Sequence, residues 1–126
     1  MYSVTISGHF DSAHFLRNYE GKCQRMHGHR WTYQVTLQGT ELDETGMLID
    51  FTVLKPILKE LVDEHLDHYV LNERVPFDVL NPTAEHIAWY IHSQLNNNWQ
   101  LPERVELQKV RVLESPDCWA EYWEEK

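Results

Sequence analysis

The chain has 126 residues, of which 42% are apolar and 12% aromatic, enough to form the core of one domain rather than a disordered segment. Its formal net charge of −9 at pH 7 opposes binding of nucleic-acid phosphates through a broad basic face. No apolar run approaches the roughly 20 residues of a membrane-spanning helix, and no signal-peptide pattern follows Met1. We therefore expect a cytoplasmic protein without a nucleic-acid or membrane partner.

The first third of the chain predicts two strands, because apolar and polar residues alternate there. The first strand begins at Tyr2, and we expect it to reach His14 at its far end. In the second strand the apolar positions are Trp31, Tyr33, Val35 and Leu37. Counting backward from Trp31 with the same parity reaches His29 and His27, so both histidines point to the buried side if the strand extends that far.

Two helices follow these strands. Residues 41–46 predict a polar turn and residues 47–51 a short extended return, after which the apolar spacing becomes helical. Thr52 is the predicted N-cap of the first helix, which places Pro56 in its first turn. Thr83 is the predicted N-cap of the second helix.

The last third of the chain predicts two more strands, over residues 105–113 and 118–123. The element order is therefore strand, strand, helix, helix, strand, strand. This order is typical of an α+β domain with both helices on one face of a four-stranded antiparallel sheet. Such a sheet has two open edges, and we expect oligomers that pair them.

Three histidines form a candidate metal site. His27 and His29 leave the same face of an extended chain and can converge on one ion. If the first two strands form a hairpin, their adjacent ends bring His14 beside this pair. Three neutral imidazoles suit Zn²⁺ and leave its fourth tetrahedral position open, as in catalytic sites.

Cys23 lies four residues before His27, and the spacing leaves three roles open for it. Its thiolate could be a fourth metal ligand that closes a structural site. It could also be a base or nucleophile beside the metal, with a pKa lowered by the ion and by nearby Lys22 and Arg25. The remaining alternative is an inert, half-buried thiol.

Other candidate residues have simple structural explanations as well. Asp67 and His68 could orient a proton shuttle, although such dipeptides are mostly surface features. Glu114 follows an apolar run, where its carboxylate could accept two N–H donors at a pocket rim or remain an exposed charge. Thr83 and Glu85 first suggest helix capping and interaction with the helix dipole.

Six segments, in chain order, resemble the 6-pyruvoyltetrahydropterin synthase superfamily. They are FDSAHFL, GKCQRMHGH, GMLIDFTVLK, LDHYVLNE, NPTAEHIA and VRVLES, and the resemblance extends from about Ser7 to Tyr122. Within the superfamily the sequence is most similar to the carboxy-forming branch of bacteria and archaea, which acts in queuosine biosynthesis. The short Cys-x-x-x-His spacing favours this branch over the animal pyruvoyl-forming one. Arg30-Trp31 departs from the family pattern.

The resemblance assigns a role to each candidate. It implies that His14, His27 and His29 bind Zn²⁺ and that Cys23 is the catalytic base. Asp67 and His68 would complete a proton-transfer triad with that cysteine. The remaining three residues would bind the pterin: Glu114 as its anchor, with Thr83 and Glu85 lining the pocket.

The resemblance also implies a fold, an assembly and a reaction. The tunnelling fold closes the sheets of a trimer into a barrel, two trimers stack into a homohexamer, and active sites lie between subunits. The whole chain, residues 1–126, would be one pterin-synthase domain. It would be a lyase that converts 7,8-dihydroneopterin triphosphate to 6-carboxy-5,6,7,8-tetrahydropterin, releasing acetaldehyde and triphosphate.

Two alternatives to this function stay open at this point. One is a pyruvoyl-forming synthase or a folate-branch relative that uses the same substrate. The other is a non-catalytic zinc-binding protein in which Cys23 closes a site with three histidines.

Overall fold

The computed structural model describes residues 1–125 and contains four strands and two α-helices in the predicted order. The predicted domain over 1–126 ends at Lys126, which lies outside the described residues. The elements are β1 (Tyr2–His14), β2 (His27–Gly39), α1 (Phe51–His65), α2 (Ala84–Asn98), β3 (Glu106–Ser115) and β4 (Cys118–Tyr122). Lys22–Gln24 and Leu71–Glu73 form short 3₁₀ turns. The α+β class is thereby confirmed.

The four strands form one antiparallel sheet in the order β1-β2-β3-β4. Phe10 lies opposite Trp31 in the register of β1 and β2, and Val35 lies opposite Val110 in that of β2 and β3. These four side chains are buried on the face that the helices cover. β1 and β4 are the outer strands of this sheet, and in the described chain their edges are open except at the end of β1, where Asp11 and Ala13 bond residues 67–70.

Both helices bury one apolar face against the sheet. Leu54, Leu58 and Val62 are the buried residues of α1. In α2, which packs on β3 and β4, the buried apolar positions are Ile87, Ala88, Tyr90, Ile91 and Leu95. Within residues 1–125 no helix is long and apolar enough to cross a membrane.

The predicted cap of α1 is wrong by two residues, whereas that of α2 is confirmed. Asp50 caps α1: its carboxylate accepts hydrogen bonds from the Thr52 N–H at 2.8 Å and the Thr52 hydroxyl at 2.7 Å. A carboxylate at this position also interacts favourably with the helix dipole, which explains why Asp50 caps the helix. Pro56 consequently lies in the second turn rather than the first. Thr83 caps α2 by accepting the His86 N–H.

Residues 47–51 do not form the predicted extended return, because the chain bends at Leu48 and Ile49 and Phe51 already belongs to α1. The Asp43 carboxylate accepts the Met47 N–H at 2.9 Å, and the Arg104 guanidinium donates to the Leu48 carbonyl at 2.6 Å. These side-chain bonds occupy backbone groups that a strand would use for pairing. Leu48 is buried nonetheless, so its apolarity reflects packing beneath the sheet and not strand structure.

Candidate metal centre and active site

The hairpin of β1 and β2 brings the three candidate histidines together. His14 lies directly opposite His27 in the register, and His29 lies opposite Ser12 on the same face. The ring centroids are 4.5 Å apart for His14 and His27, 5.2 Å for His14 and His29, and 4.8 Å for His27 and His29. The predicted convergence of the three imidazoles is therefore present in the structure.

Backbone carbonyls orient two of these rings. The Nδ1 atom of His14 lies 2.7 Å from the Pro82 carbonyl oxygen, and that of His27 lies 2.6 Å from the Arg25 carbonyl oxygen. A carbonyl oxygen only accepts, so each Nδ1 carries the proton and each Nε2 retains a lone pair. Metal-binding histidines in proteins are held in this way.

The inward-facing nitrogens lack hydrogen-bond partners. In the described part of the chain, Nε2 of His14 and Nε2 of His29 are buried and make no hydrogen bond. Leaving such an atom unsatisfied costs about 1–3 kcal/mol. A cation bound between the rings would satisfy both atoms, so the donor set fits a metal ion.

Glu114 joins this group from the end of β3. Its Oε1 lies 2.9 Å from His29 Nε2 and 3.6 Å from His14 Nε2. One ligand atom from each of His14, His27, His29 and Glu114 lies within 4.8 Å of the others. The sequence associates Glu114 with a pocket rim, and the structure additionally places its carboxylate against the histidines. The spacing of residues does not show how β3 aligns with β2, so the sequence could not predict that Glu114 lies near the histidines.

The surroundings favour neutral imidazoles at the candidate metal centre. Burial lowers the pKa of His14, and the hydrogen bond to the Pro82 carbonyl only partly opposes that effect. Burial also lowers the pKa of His29, although the Glu114 carboxylate acts in the opposite direction. Neutral imidazole is the form that binds metal ions, so burial prepares these two residues for that role.

Trp31 forms the floor beneath the candidate metal centre. It is fully buried, and its ring meets His14 and His29 edge to face, with centroid distances of 4.9 and 5.3 Å. Phe10 stacks on the Trp31 ring with a centroid distance of 5.9 Å. The parity of β2 predicts that Trp31 is buried, but only the fold shows that it packs against the histidines.

Two asparagines that the sequence did not single out fix the chain after His14. The Asn72 side-chain amide bonds both the N–H and the carbonyl of Phe15, at 3.0 and 2.9 Å. Asn81 bonds the N–H and the carbonyl of Arg17 in the same way, each at 2.9 Å. These pairs join the segment before α2 to the segment after β1 across more than fifty residues, which no local pattern reveals.

Asp67 and His68 form an ion pair at the outer edge of β1. His68 Nδ1 lies 2.9 Å from Asp67 Oδ2, and the backbone of Asp11 bonds both residues. The hydrogen bond to Asp67 raises the pKa of His68, whose side chain is 78% exposed. Burial alone would raise the pKa of the Asp67 carboxyl, but hydrogen bonds from Asp11 and His68 lower it. The pair is therefore suited to hold and pass a proton.

Cys23 lies in the 3₁₀ turn between β1 and β2 and is partly exposed. Its carbonyl accepts the Leu16 N–H at 2.8 Å, which ties this turn to the segment after β1. Its thiol is not part of the candidate metal group, and within residues 1–125 no hydrogen bond or ion pair joins it to Asp67 or His68. One described chain therefore does not assemble the predicted triad.

Thr83 and Glu85 lie at the start of α2, where both capping explanations hold. The Thr83 hydroxyl accepts the His86 N–H at 3.1 Å, and Glu85 is exposed in the first turn. Thr83 directly follows Pro82, whose carbonyl bonds His14. The N-terminus of α2 is thus next to the candidate metal centre.

Comparisons with known proteins agree with this geometry. Residues 3–125 match the family described as 6-pyruvoyl tetrahydropterin synthase. A protein of Synechocystis sp. named 6-carboxy-5,6,7,8-tetrahydropterin synthase is 41% identical over 118 residues, covering 90% of this chain and 87% of that protein. A Haemophilus influenzae protein of the same name is 32% identical and covers 98% of this chain and 100% of that protein. The structure of Caenorhabditis elegans 6-pyruvoyl tetrahydropterin synthase superposes with a TM-score of 0.85 at 29% identity, covering 98% of this chain and 96% of that one.

Proposed function

The chain belongs to the 6-pyruvoyl tetrahydropterin synthase family of enzymes, and from this premise we propose that it is a zinc-dependent 6-carboxytetrahydropterin synthase. It would convert 7,8-dihydroneopterin triphosphate and water to 6-carboxy-5,6,7,8-tetrahydropterin, acetaldehyde and triphosphate, a step of queuosine biosynthesis. The observation that carries this proposal is the convergence of His14, His27 and His29, with two buried Nε2 atoms left unsatisfied. Relatives that carry this enzyme name support the carboxy-forming reaction.

The donor set favours zinc over harder cations, because imidazole nitrogen suits zinc whereas magnesium and calcium prefer oxygen ligands. His14, His27 and His29 would hold the ion through Nε2. When bound, Zn²⁺ supplies Lewis-acid polarisation of the substrate's side-chain hydroxyls.

The proton transfers would fall to Cys23, Asp67 and His68. The Cys23 thiolate would remove a carbon-bound proton from the substrate side chain. His68, whose Nδ1 lies 2.9 Å from Asp67 Oδ2, would relay a proton through its other ring nitrogen, Nε2. Since no hydrogen bond joins Cys23 to this pair in the described chain, the cysteine and the pair would come from neighbouring subunits.

Substrate binding would use Glu114, Thr83 and Glu85. The Glu114 carboxylate would accept the N–H groups of the pterin's guanidine-like edge, a bidentate arrangement that charged acceptors favour. Thr83 and Glu85 would line the pocket from the first turn of α2. Their position beside Pro82, which bonds His14, supports this assignment.

The proposed assembly is a homohexamer, a dimer of trimers. Its trimers would close the open edges at β1 and β4 into one continuous barrel, which removes unpaired backbone groups. The cell compartment would be the cytoplasm, and residues 1–126 would act as a single pterin-synthase domain.

A pyruvoyl-forming activity is the second candidate, because the C. elegans pyruvoyl synthase shares the fold over nearly the whole chain. The short spacing from Cys23 to His27 and the names of the curated relatives favour the carboxy product. A purely structural zinc site closed by Cys23 is disfavoured, since the candidate metal group contains Glu114 and not the thiol.

The proposal is tested by incubating the zinc-loaded protein with 7,8-dihydroneopterin triphosphate and identifying the products by mass spectrometry. We expect 6-carboxytetrahydropterin, with conversion lost in protein stripped by a chelator and recovered when zinc is restored. A pyruvoyl product would support the second candidate instead. Equal conversion by stripped protein would contradict the zinc dependence.

A further inference from the structure

Glu114 occupies a position that a substrate-binding role alone does not explain. We propose that its carboxylate is a fourth ligand of the substrate-free metal centre and that the pterin substrate must displace it. The metal centre is then closed without substrate and opens only when the pterin takes this carboxylate. The displacement step rests on the proposed function, whereas the ligation does not.

The distances fit a ligand position. Four atoms at tetrahedral corners, each about 2.0–2.1 Å from a central zinc ion, lie roughly 3.3 Å from one another. Glu114 Oε1 lies 2.9 Å from His29 Nε2 and 3.6 Å from His14 Nε2, values on either side of that separation. The carboxylate oxygen therefore lies at a ligand-to-ligand separation from two of the three imidazoles, and within 4.8 Å of a ring nitrogen of the third.

The same two atoms lie close together without forming a hydrogen bond. Glu114 Oε1 is 2.9 Å from His29 Nε2, yet within residues 1–125 that nitrogen has no hydrogen-bond partner. Two ligands of one ion direct their lone pairs at the ion rather than at each other. A short separation without hydrogen-bond geometry is what such a pair shows.

The backbone of β3 presents this side chain through an irregularity. Leu113 pairs with Trp119 and Ser115 with Cys118, so the register shifts at Glu114. A bulge of this kind redirects a side chain and is common beside active sites. Here it places the carboxylate at the candidate metal centre while leaving 35% of the side chain exposed, with room to turn toward a ligand.

Substrate binding would require this movement. A carboxylate that accepts two N–H groups from the pterin edge directs both of its oxygens at that edge, so we expect Oε1 to turn away from the metal. Its departure frees the fourth position for the substrate's hydroxyls, while the three histidines remain. The pterin ring itself would thus open the metal centre, which keeps other ligands out until the substrate is seated.

Zinc affinity tests the ligation without any turnover. We expect Glu114→Gln to raise the zinc dissociation constant at least about tenfold, since even losing a partner of a metal ligand costs 10- to 100-fold. The matched control is Asp117→Asn, which removes one carboxylate from the exposed turn after β3 and should leave the constant unchanged. Competition with a chromogenic chelator measures the zinc dissociation constant of the unsubstituted protein and of both variants. An unchanged constant for Glu114→Gln overturns the proposal.

Crystal structures of the zinc-loaded protein, alone and with neopterin, separate ligation from a charge effect. We expect a Glu114 oxygen at about 2.0–2.2 Å from the zinc without neopterin, and the carboxylate on the pterin edge with it. A water in the fourth position with Glu114 turned away, in crystals without neopterin, overturns the proposal even if zinc affinity falls. Turnover of dihydroneopterin triphosphate is scored separately. If the protein does not turn over this substrate but Glu114 is bound to the zinc, the proposed enzyme function is refuted and the proposed ligation by Glu114 stands.

Discussion

Replacing Trp31 by alanine should damage the fold and the metal centre together. The side chain is fully buried, stacks on Phe10 and packs against His14 and His29. Truncating a buried tryptophan typically costs 3–5 kcal/mol, a large share of the stability of a domain of this size. Trp31→Phe keeps an aromatic ring but loses the hydrogen bond from Nε1 to the Ser12 carbonyl, which is long at 3.4 Å. We therefore expect that variant to lose only roughly 1–2 kcal/mol.

The zinc dissociation constant should likewise rise more in Trp31→Ala than in Trp31→Phe. Without the indole wall the rings of His14 and His29 gain freedom, so Trp31→Ala should raise this constant about 10- to 100-fold, as loss of outer support does in metal sites. Urea unfolding of zinc-free protein at one fixed concentration measures stability, and chelator competition measures affinity. Trp119→Ala is the control, because Trp119 is half exposed and its ring lies under the Arg111 guanidinium rather than beside the histidines. Equal effects of Trp31→Ala and Trp119→Ala on both quantities would refute the reasoning.

Three further predictions concern the candidate active site. His27→Ala should lose stoichiometric zinc, as measured by elemental analysis of the purified protein, and full retention would remove His27 from the ligand set. Cys23→Ala should bind zinc normally but lose turnover; loss of zinc instead would place the thiol on the metal. Asp67→Asn should lower the pKa of His68, followed by NMR of its ring protons, because the carboxylate at 2.9 Å raises that pKa. Because the folded-state pKa of His68 is raised, the pair stabilises the folded protein fully below the ordinary histidine pKa, and this stabilisation is lost as the pH rises through the folded-state pKa. An unchanged His68 pKa in Asp67→Asn would contradict the pairing.

Strand periodicity, combined with the expectation of a hairpin, predicted the histidine cluster. The alternation around Trp31 sets the parity of β2, and a hairpin with β1 then places His14 opposite His27. Side chains alternate strictly along a strand, so parity carries over several residues without knowledge of the fold. The cap at Thr83 was also predictable, because a hydroxyl after Asn-Pro has few other roles at a helix start.

Local patterns did not show where distant side chains meet. Asp50 and Thr52 are both good N-caps, and the carboxylate at Asp50 outcompetes the hydroxyl two residues later. Residues 47–51 are apolar enough for a strand, but Arg104 bonds the Leu48 carbonyl from 56 residues away. The proximity of Glu114 to the histidines depends on how β3 aligns with β2. The contact from Arg104 and the proximity of Glu114 have no signature within a short window of sequence.

Release of acetaldehyde tests the carboxy-forming reaction most directly. An aldehyde-trapping reagent added to zinc-loaded protein and 7,8-dihydroneopterin triphosphate quantifies this product against the substrate consumed. The reaction splits off the outer carbons of the side chain, so we predict one acetaldehyde for each substrate molecule converted. Conversion of the substrate without acetaldehyde would contradict the assignment and indicate that the side chain stays attached to the pterin.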